Sequence, residues 1–192
     1  MRIALACWLA LLPGLAAASA EPAPLPVERI DETRSTLGFE VRTRLGQRLE
    51  GRFPRFEGSV DTLPDGRHRV RLRIATAAAE IPRGPRYTDW MRSDRFFDTV
   101  RHPWMEFVSD PYPATLLRTG GELRGTLTLR GIHKEETLDM QPATCARPGH
   151  DCDVVVEGDI RRSRYGMDDW QLALSERVRF VMQVRLAERA TP

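Results

Sequence analysis

Three sets of residues in this 192-residue chain have types that can do chemistry: four histidines, an adjacent pair of acids, and the cysteines. His68, His102, His133 and His150 show no metal-ligand spacing, so they read as solvated turn or strand-end residues. Asp168 and Asp169 stand side by side, and like charges raise one pKa of such a pair. They follow Gly166 in a loop-forming stretch, where adjacent acids are ordinarily solvated turn residues. No nucleophile elbow, phosphate loop or metalloprotease helix occurs. The expectation is therefore no catalytic residue, no metal and no cofactor. Cys145 and Cys152 flank a turn-forming stretch that contains Pro148-Gly149. In an exported chain such a pair forms a structural disulfide, whereas redox dithiols favour Cys-x-x-Cys at a helix start.

Export is read from the first 20 residues. Arg2 is followed by an apolar run over residues 3–15, and Ala18-Ser19-Ala20 supplies the small residues of a cleavage site. The run is shorter than the roughly 20 apolar residues of a membrane span. Residues 1–20 thus read as a signal peptide cleaved after Ala20, the location as periplasmic, and the mature chain as free of transmembrane segments. Cys7 sits too close to the start to serve as a lipid-anchor site. The net charge of +2 gives no basis for nucleic-acid binding, which calls for a basic patch.

The elements that must position any site are strands. Leu37, Phe39 and Val41 alternate with charged residues. The same period of two runs through Val70-Leu72-Ile74, Leu123-Leu127-Leu129, Val154-Val156-Ile160 and Val178-Phe180-Met182-Val184-Leu186. Weaker strands are expected over 49–60, 104–109, 115–119 and 137–140, with a bend at Pro54. Pro64-Asp65-Gly66, Gly120-Gly121 and the Gly131 region read as turns. One short helix is expected near 89–97, capped by Asp89 or Ser93. With no long amphipathic helix to cover them, the apolar strand faces must cover one another. The fold class is all-β: an antiparallel β-barrel of about eight strands, a single domain over 27–188. Gly51, Gly125 and Gly158 fall in the inward phase, where they relieve barrel corners or leave room inside.

Several stretches resemble the YceI-like family of exported proteins. The fullest is Met91-Arg92-Ser93-Asp94-Arg95-Phe96-Phe97-Asp98, followed by His102-Pro103 and Glu106-Phe107-Val108-Ser109. The hairpin Gly125-Thr126-Leu127-Thr128-Leu129-Arg130-Gly131-Ile132 and the element Arg164-Tyr165-Gly166-Met167 are also similar to family motifs. Ser35, Phe39, Val41, Gly51, Phe53, Phe56 and Gly58 fit earlier ones. The resemblance implies an extended lipocalin-like barrel that binds a polyisoprenoid inside and has no catalytic residues. Two positions where the family often carries histidine are here Thr43 and Trp90, and a usual threonine is His133, so no head-group or metal ligation is carried over.

The expected cavity lining combines strand phase with that resemblance. From the strands it takes Phe39, Val41, Phe53, Leu72, Phe107, Leu127, Val156, Phe180 and Met182. From the connections it takes Trp90, Met91, Phe96, Phe97 and Met167. The segment 90–97 is too apolar for a free loop and reads as a barrel-end plug, a ligand gate, or both. The partner is a long apolar molecule of isoprenoid type, and a homodimer stays open. Two rival classes stand beside the carrier. An enzyme would need inward titratable groups, whereas the strand phases turn Glu40, Glu157, Asp159 and the arginines outward. An interaction module would show an exposed apolar patch, for which Pro111, Tyr112 and Pro113 are the candidates.

Overall fold

The period-two segments all form strands, and the strands form one sheet curled around one apolar interior. The computed structural model describes residues 25–169 and 172–188; the expected signal peptide lies outside them. In chain order the strands are β1 (Val27–Arg29), β2 (Thr36–Thr43), β3 (Arg48–Arg52), β4 (Phe56–Thr62), β5 (His68–Ala75), β6 (Trp104–Ser109), β7 (Gly121–Leu129), β8 (Ile132–Met140), β9 (Val154–Arg161) and β10 (Leu174–Val184). They are ordered β1-β4-β5-β6-β7-β8-β9-β10-β2-β3, with every neighbouring pair antiparallel. The sheet therefore has ten strands where about eight were expected. Pro54 is one reason: it lacks an N–H for a ladder, and it divides the run expected at 49–60 into β3 and β4. The three-residue β1, preceded by Pro26, is another that alternation alone does not reveal.

Both ends of the curled sheet are tied by backbone bonds outside the main ladders. The Asp31 N–H donates to the Arg185 carbonyl (2.9 Å) and the Ala187 N–H to that of Arg29 (2.8 Å), joining the end of β1 to the chain leaving β10. On the opposite flank Arg52 and Glu80 exchange N–H bonds of 2.9 and 3.0 Å, joining β3 to the segment after β5. Outside, the charged strand faces pair across strands. Arg71 meets Asp61 (2.7 Å), Arg73 meets Glu57 (3.2 Å) and Glu106 (3.3 Å), and Arg179 meets Glu157. Such exposed pairs contribute only ~0–1 kcal/mol each, so the inward faces carry the stability.

Two helices interrupt the strands. α1 (Pro85–Arg92) begins earlier than the expected 89–97, because Pro85 occupies its first turn, where the missing N–H costs nothing. Its N-cap is Gly84 rather than Asp89 or Ser93; Ser93 lies at the other end, where its hydroxyl donates to the Trp90 carbonyl (2.6 Å). The expected strand at 115–119 is instead the short helix α2 (Leu116–Thr119), closed by Gly120 at φ 67. A two-leucine run is too short for periodicity to tell helix from strand.

The inward glycines do not leave empty space. A Cβ on Gly51 would stand 2.0 Å from the Phe39 ring, and one on Gly158 2.3 Å from a Leu138 methyl. Gly125 is covered likewise by the Phe107 ring. Each glycine thus makes room for a large side chain on the neighbouring strand.

Candidate ligand-binding interior

Two cavities lie inside the barrel. The first, about 40 Å³, is held between β2, β9, β10 and α1. Of the expected lining residues it receives Phe39, Val41, Trp90, Met91, Phe96, Phe97, Met167 and Phe180. The second, about 230 Å³, receives Leu72, Phe107, Val156 and Met182. Phe53 and Leu127 are buried but line neither. Phe53 lies between the two groups. Its N–H donates to the Leu37 carbonyl (2.9 Å), level with Met182 of the second cavity, and its ring stacks on Phe180 of the first at 6.2 Å.

The first cavity is walled by rings. Phe53 also meets Phe39 (5.1 Å) and Phe97 (5.8 Å), and Trp90 meets Phe96 edge-on (4.6 Å). Aromatic pairs of this kind add about 0.5–1.5 kcal/mol beyond the area they bury. α1 is fastened as a plug from both flanks. Arg92 Nε donates to the Ala79 carbonyl (2.9 Å), and the Thr88 hydroxyl accepts from the Ile81 N–H (2.9 Å). The Phe96-Phe97 turn is held by Arg130 Nη1 on the Phe96 carbonyl (2.8 Å) and by the Phe97 N–H on the Met91 carbonyl (3.0 Å).

One charged residue lines this cavity, and the strand phases had not pointed to it. Arg162 is 1% exposed and lines the cavity with its neighbour Met167. It opens the 3-10 turn Arg162–Tyr165, where the period of two ends, so its direction was not readable from β9. Its Nε donates to the Ser175 carbonyl (2.9 Å), and Nη1 donates to those of Met167 (2.9 Å) and Asp169 (3.1 Å). The Phe96 ring lies 5.6 Å from the guanidinium carbon. Nη2 has no hydrogen-bond partner among the described residues. Burial pushes the guanidinium pKa down, while the charges of Glu176 and Asp168 push it back up.

A second inward titratable group is Glu136 on β8, which the strand readings had not covered. Its Oε1 accepts from the Tyr165 hydroxyl (2.7 Å) and from Arg164 Nη1 (2.8 Å). Burial, then the hydrogen bond and charge of Glu136, raise the Tyr165 pKa. This triad lines neither cavity. It fills the place where β8 and β9 part, since they pair only at Asp139–Glu157 and Met140–Val156. Arg164 Nη2 adds a bond to the Glu135 carbonyl (3.0 Å).

The second cavity is mostly aliphatic, with Ile30, Val70, Leu123, Leu138 and Val184 among its walls. Its polar rim is Glu28, His68, Tyr112, Arg147 and His150. Tyr112, expected in an exposed patch, is instead buried. It exchanges N–H bonds of 2.8 and 2.9 Å with His68, which turn it inward, and burial pushes its phenol up to about 12. The loop bearing the Cys145–Cys152 disulfide (Cα–Cα 6.0 Å) covers this end. The loop docks through the Leu186 N–H on the Gly149 carbonyl (2.8 Å) and Arg185 Nη1 on the His150 carbonyl (2.7 Å).

His68 and His150 thus sit at a cavity rim, half-buried rather than free in solvent, whereas His133 is exposed and pairs with the Thr128 hydroxyl (2.7 Å). Among the described residues no group of three His, Cys, Asp or Glu is placed to hold a metal ion. Asp168 and Asp169 are exposed, and the latter's carbonyl serves Arg162.

The profile of the YceI-like domain matches residues 29–186, nearly all of the described chain. The chain belongs to the YceI-like family. Its fold is shared with solved YceI-like structures at low identity. Burkholderia cenocepacia BcnA is 20% identical, with a TM-score of 0.67 over 83% of this chain and 99% of that one. A polyisoprenoid binding domain from Saccharophagus degradans, implicated in plant cell wall breakdown, is 17% identical, with a TM-score of 0.61 over 85% and 99%. The YceI protein of Campylobacter jejuni is 19% identical, with a TM-score of 0.57 over 73% and 86%. No curated protein sequence matches this YceI-like chain.

Proposed function

We propose that this YceI-like protein is an exported, non-enzymatic carrier that holds an isoprenoid-type lipid inside its barrel. The observation that carries the reading is the pair of apolar cavities, one at each end of a single greasy interior. Burying apolar chain stabilises a complex by about 0.8 kcal/mol per methylene before ordering costs, so a few isoprene units bind without ionic contact. The cavities, at 40 and 230 Å³, are below the ~300–1,000 Å³ of ordinary ligand pockets. A chain-like ligand gains its remaining room by displacing Met91, Met167, Met182 and the Phe53 ring, side chains of the adaptable kind.

Support comes also from the neighbour described as a polyisoprenoid binding domain. An apolar start and a disulfide fit export to an oxidising compartment. The inward Glu136 lines neither cavity and is held by Arg164 and Tyr165, so it faces no ligand as a general base. The test is native mass spectrometry of protein purified from its own host, with uptake of added polyprenyl compounds. One long apolar molecule per chain is expected. Protein that is always recovered without lipid, and that takes up none, overturns the reading.

A further inference from the structure

The three most exposed large apolar side chains among the described residues stand at one end of the barrel. Leu45 (90% exposed) is on the turn between β2 and β3, Leu172 (96%) on the segment entering β10, and Val100 (93%) on the turn before β6. The strand pairings Leu174–Thr43 and Ala75–Trp104 set all three at the α1 end. The first two turns touch, since the Arg44 N–H donates to the Ala173 carbonyl (2.8 Å). Aromatic side chains accompany them: Tyr87 on α1 is exposed, and its ring lies 6.4 Å from that of the half-buried Trp90.

Charge follows the same division. The connections of the α1 end (44–47, 76–103, 130–131 and 162–169) carry eight arginines against five acids, the buried Arg162 and Asp98 aside. Those of the disulfide end (30–35, 63–67, 110–120, 141–153 and 185–188) carry five arginines against seven acids. Aliphatic tips with Tyr and Trp at their base suit the interface of a bilayer, and an excess of arginine selects anionic head groups. Single side chains projecting from separate turns fit a fluid apolar phase better than the continuous patch of a protein interface.

We infer that the α1 end docks on the surface of an anionic lipid bilayer. Leu45, Val100 and Leu172 enter the head-group boundary, and the surrounding arginines meet lipid phosphates. Docking goes beyond the carrier reading and does not depend on it. The docked protein sets α1 against the lipid and the disulfide loop toward water.

The experiment uses protein purified after export from its own host and sucrose-loaded vesicles, either phosphatidylcholine alone or an equimolar mixture with phosphatidylglycerol. Sedimentation with the mixed vesicles is expected to weaken as salt is raised, and affinity for phosphatidylcholine alone to be about tenfold lower or less. Leu45→Ser together with Leu172→Ser should weaken binding to the mixed vesicles about tenfold, since neither side chain then leaves water for lipid. Both leucines are exposed, so the urea midpoint of that variant should match wild type. Arg44→Gln should weaken binding to the mixed vesicles about fivefold and flatten its salt dependence. Orientation is read with a polarity-sensitive fluorophore. Attached through Leu45→Cys it should shift to the blue on the mixed vesicles, and attached through Asp65→Cys, at the disulfide end, it should not. No sedimentation with the mixed vesicles, undiminished binding by the leucine variant, or an equal blue shift at both labelled positions overturns the inference. Each of these leaves the carrier reading standing, since lipid uptake tests that reading separately.

Discussion

At the α1 end of the interior, rings meet rings and the one charged lining residue is Arg162. At the disulfide end, aliphatic side chains face a phenol and two imidazoles. Both ends are walled by the same sheet with the same alternation, yet one holds about 40 Å³ and the other about 230 Å³. The difference lies in what covers each mouth. α1 and the Phe96-Phe97 turn bring large side chains that interlock with Phe39, Phe53 and Phe180. The disulfide loop brings backbone, Pro148 and His150, which roof the opening without filling it. Strand phase decides what faces inward, and the connections decide how much space remains.

The ring of Phe53 is the first place to break the contrast. Phe53→Ala removes the ring that packs on Phe39, Phe97 and Phe180 at the α1 end, and a buried Phe→Ala change costs about 3–5 kcal/mol. A urea-denaturation midpoint lowered by that amount, together with greater uptake of an apolar probe, is expected. A loss below about 1 kcal/mol would show that this ring does not carry the packing of the α1 end.

Next comes the disulfide. Replacing both Cys145 and Cys152 by serine reopens a short loop, at a cost of about 2.5 kcal/mol in the chain-entropy model. Hydrogen exchange should quicken around Gly149 and Leu186 and stay unchanged at Phe39 and Phe97. Equal quickening at both ends would merge regions that the packing separates.

The smallest expected effect sharpens the disulfide end alone. Burial raises the Tyr112 phenol to about 12 in the folded protein, from an ordinary 10.0. A raised acid pKa means that the native state holds its proton more tightly. The contribution is complete below pH 10 and is lost as pH rises toward 12, by up to about 3 kcal/mol. Unfolding midpoints for wild type and Tyr112→Phe should therefore differ in their pH dependence only above about pH 10, wild type falling more steeply. Parallel curves would place the phenol in contact with solvent.

Much of the fold was legible because alternation is a local property. Phe39, Leu72, Phe107, Val156 and Met182 face inward where their strands said they would. The cysteine pair was legible for the same reason, two thiols across a tight turn. What escaped lies where alternation stops. Arg162 follows the last residue of β9, and a 3-10 turn carries it inward among arginines that otherwise point out. Tyr112 between two prolines has the composition of an exposed loop, and only its pairing with His68, 44 residues earlier in the sequence, buries it. Glu136 is the second of two glutamates, and a carboxylate turns inward only because Arg164 and Tyr165 arrive from a distant segment to bind it. Long-range partners of this kind leave no mark on the residues around them.

The parting of β8 from β9 has a mechanical consequence. The seam between β7 and β8 is a continuous ladder of nine paired positions, and it stretches only by breaking several backbone bonds together. Along most of the β8–β9 line, two side chains from the turn after β9, Arg164 and Tyr165, take the place of that ladder. A wall with such an expansion joint can change its girth there by rearranging a few side-chain bonds, without breaking a backbone ladder.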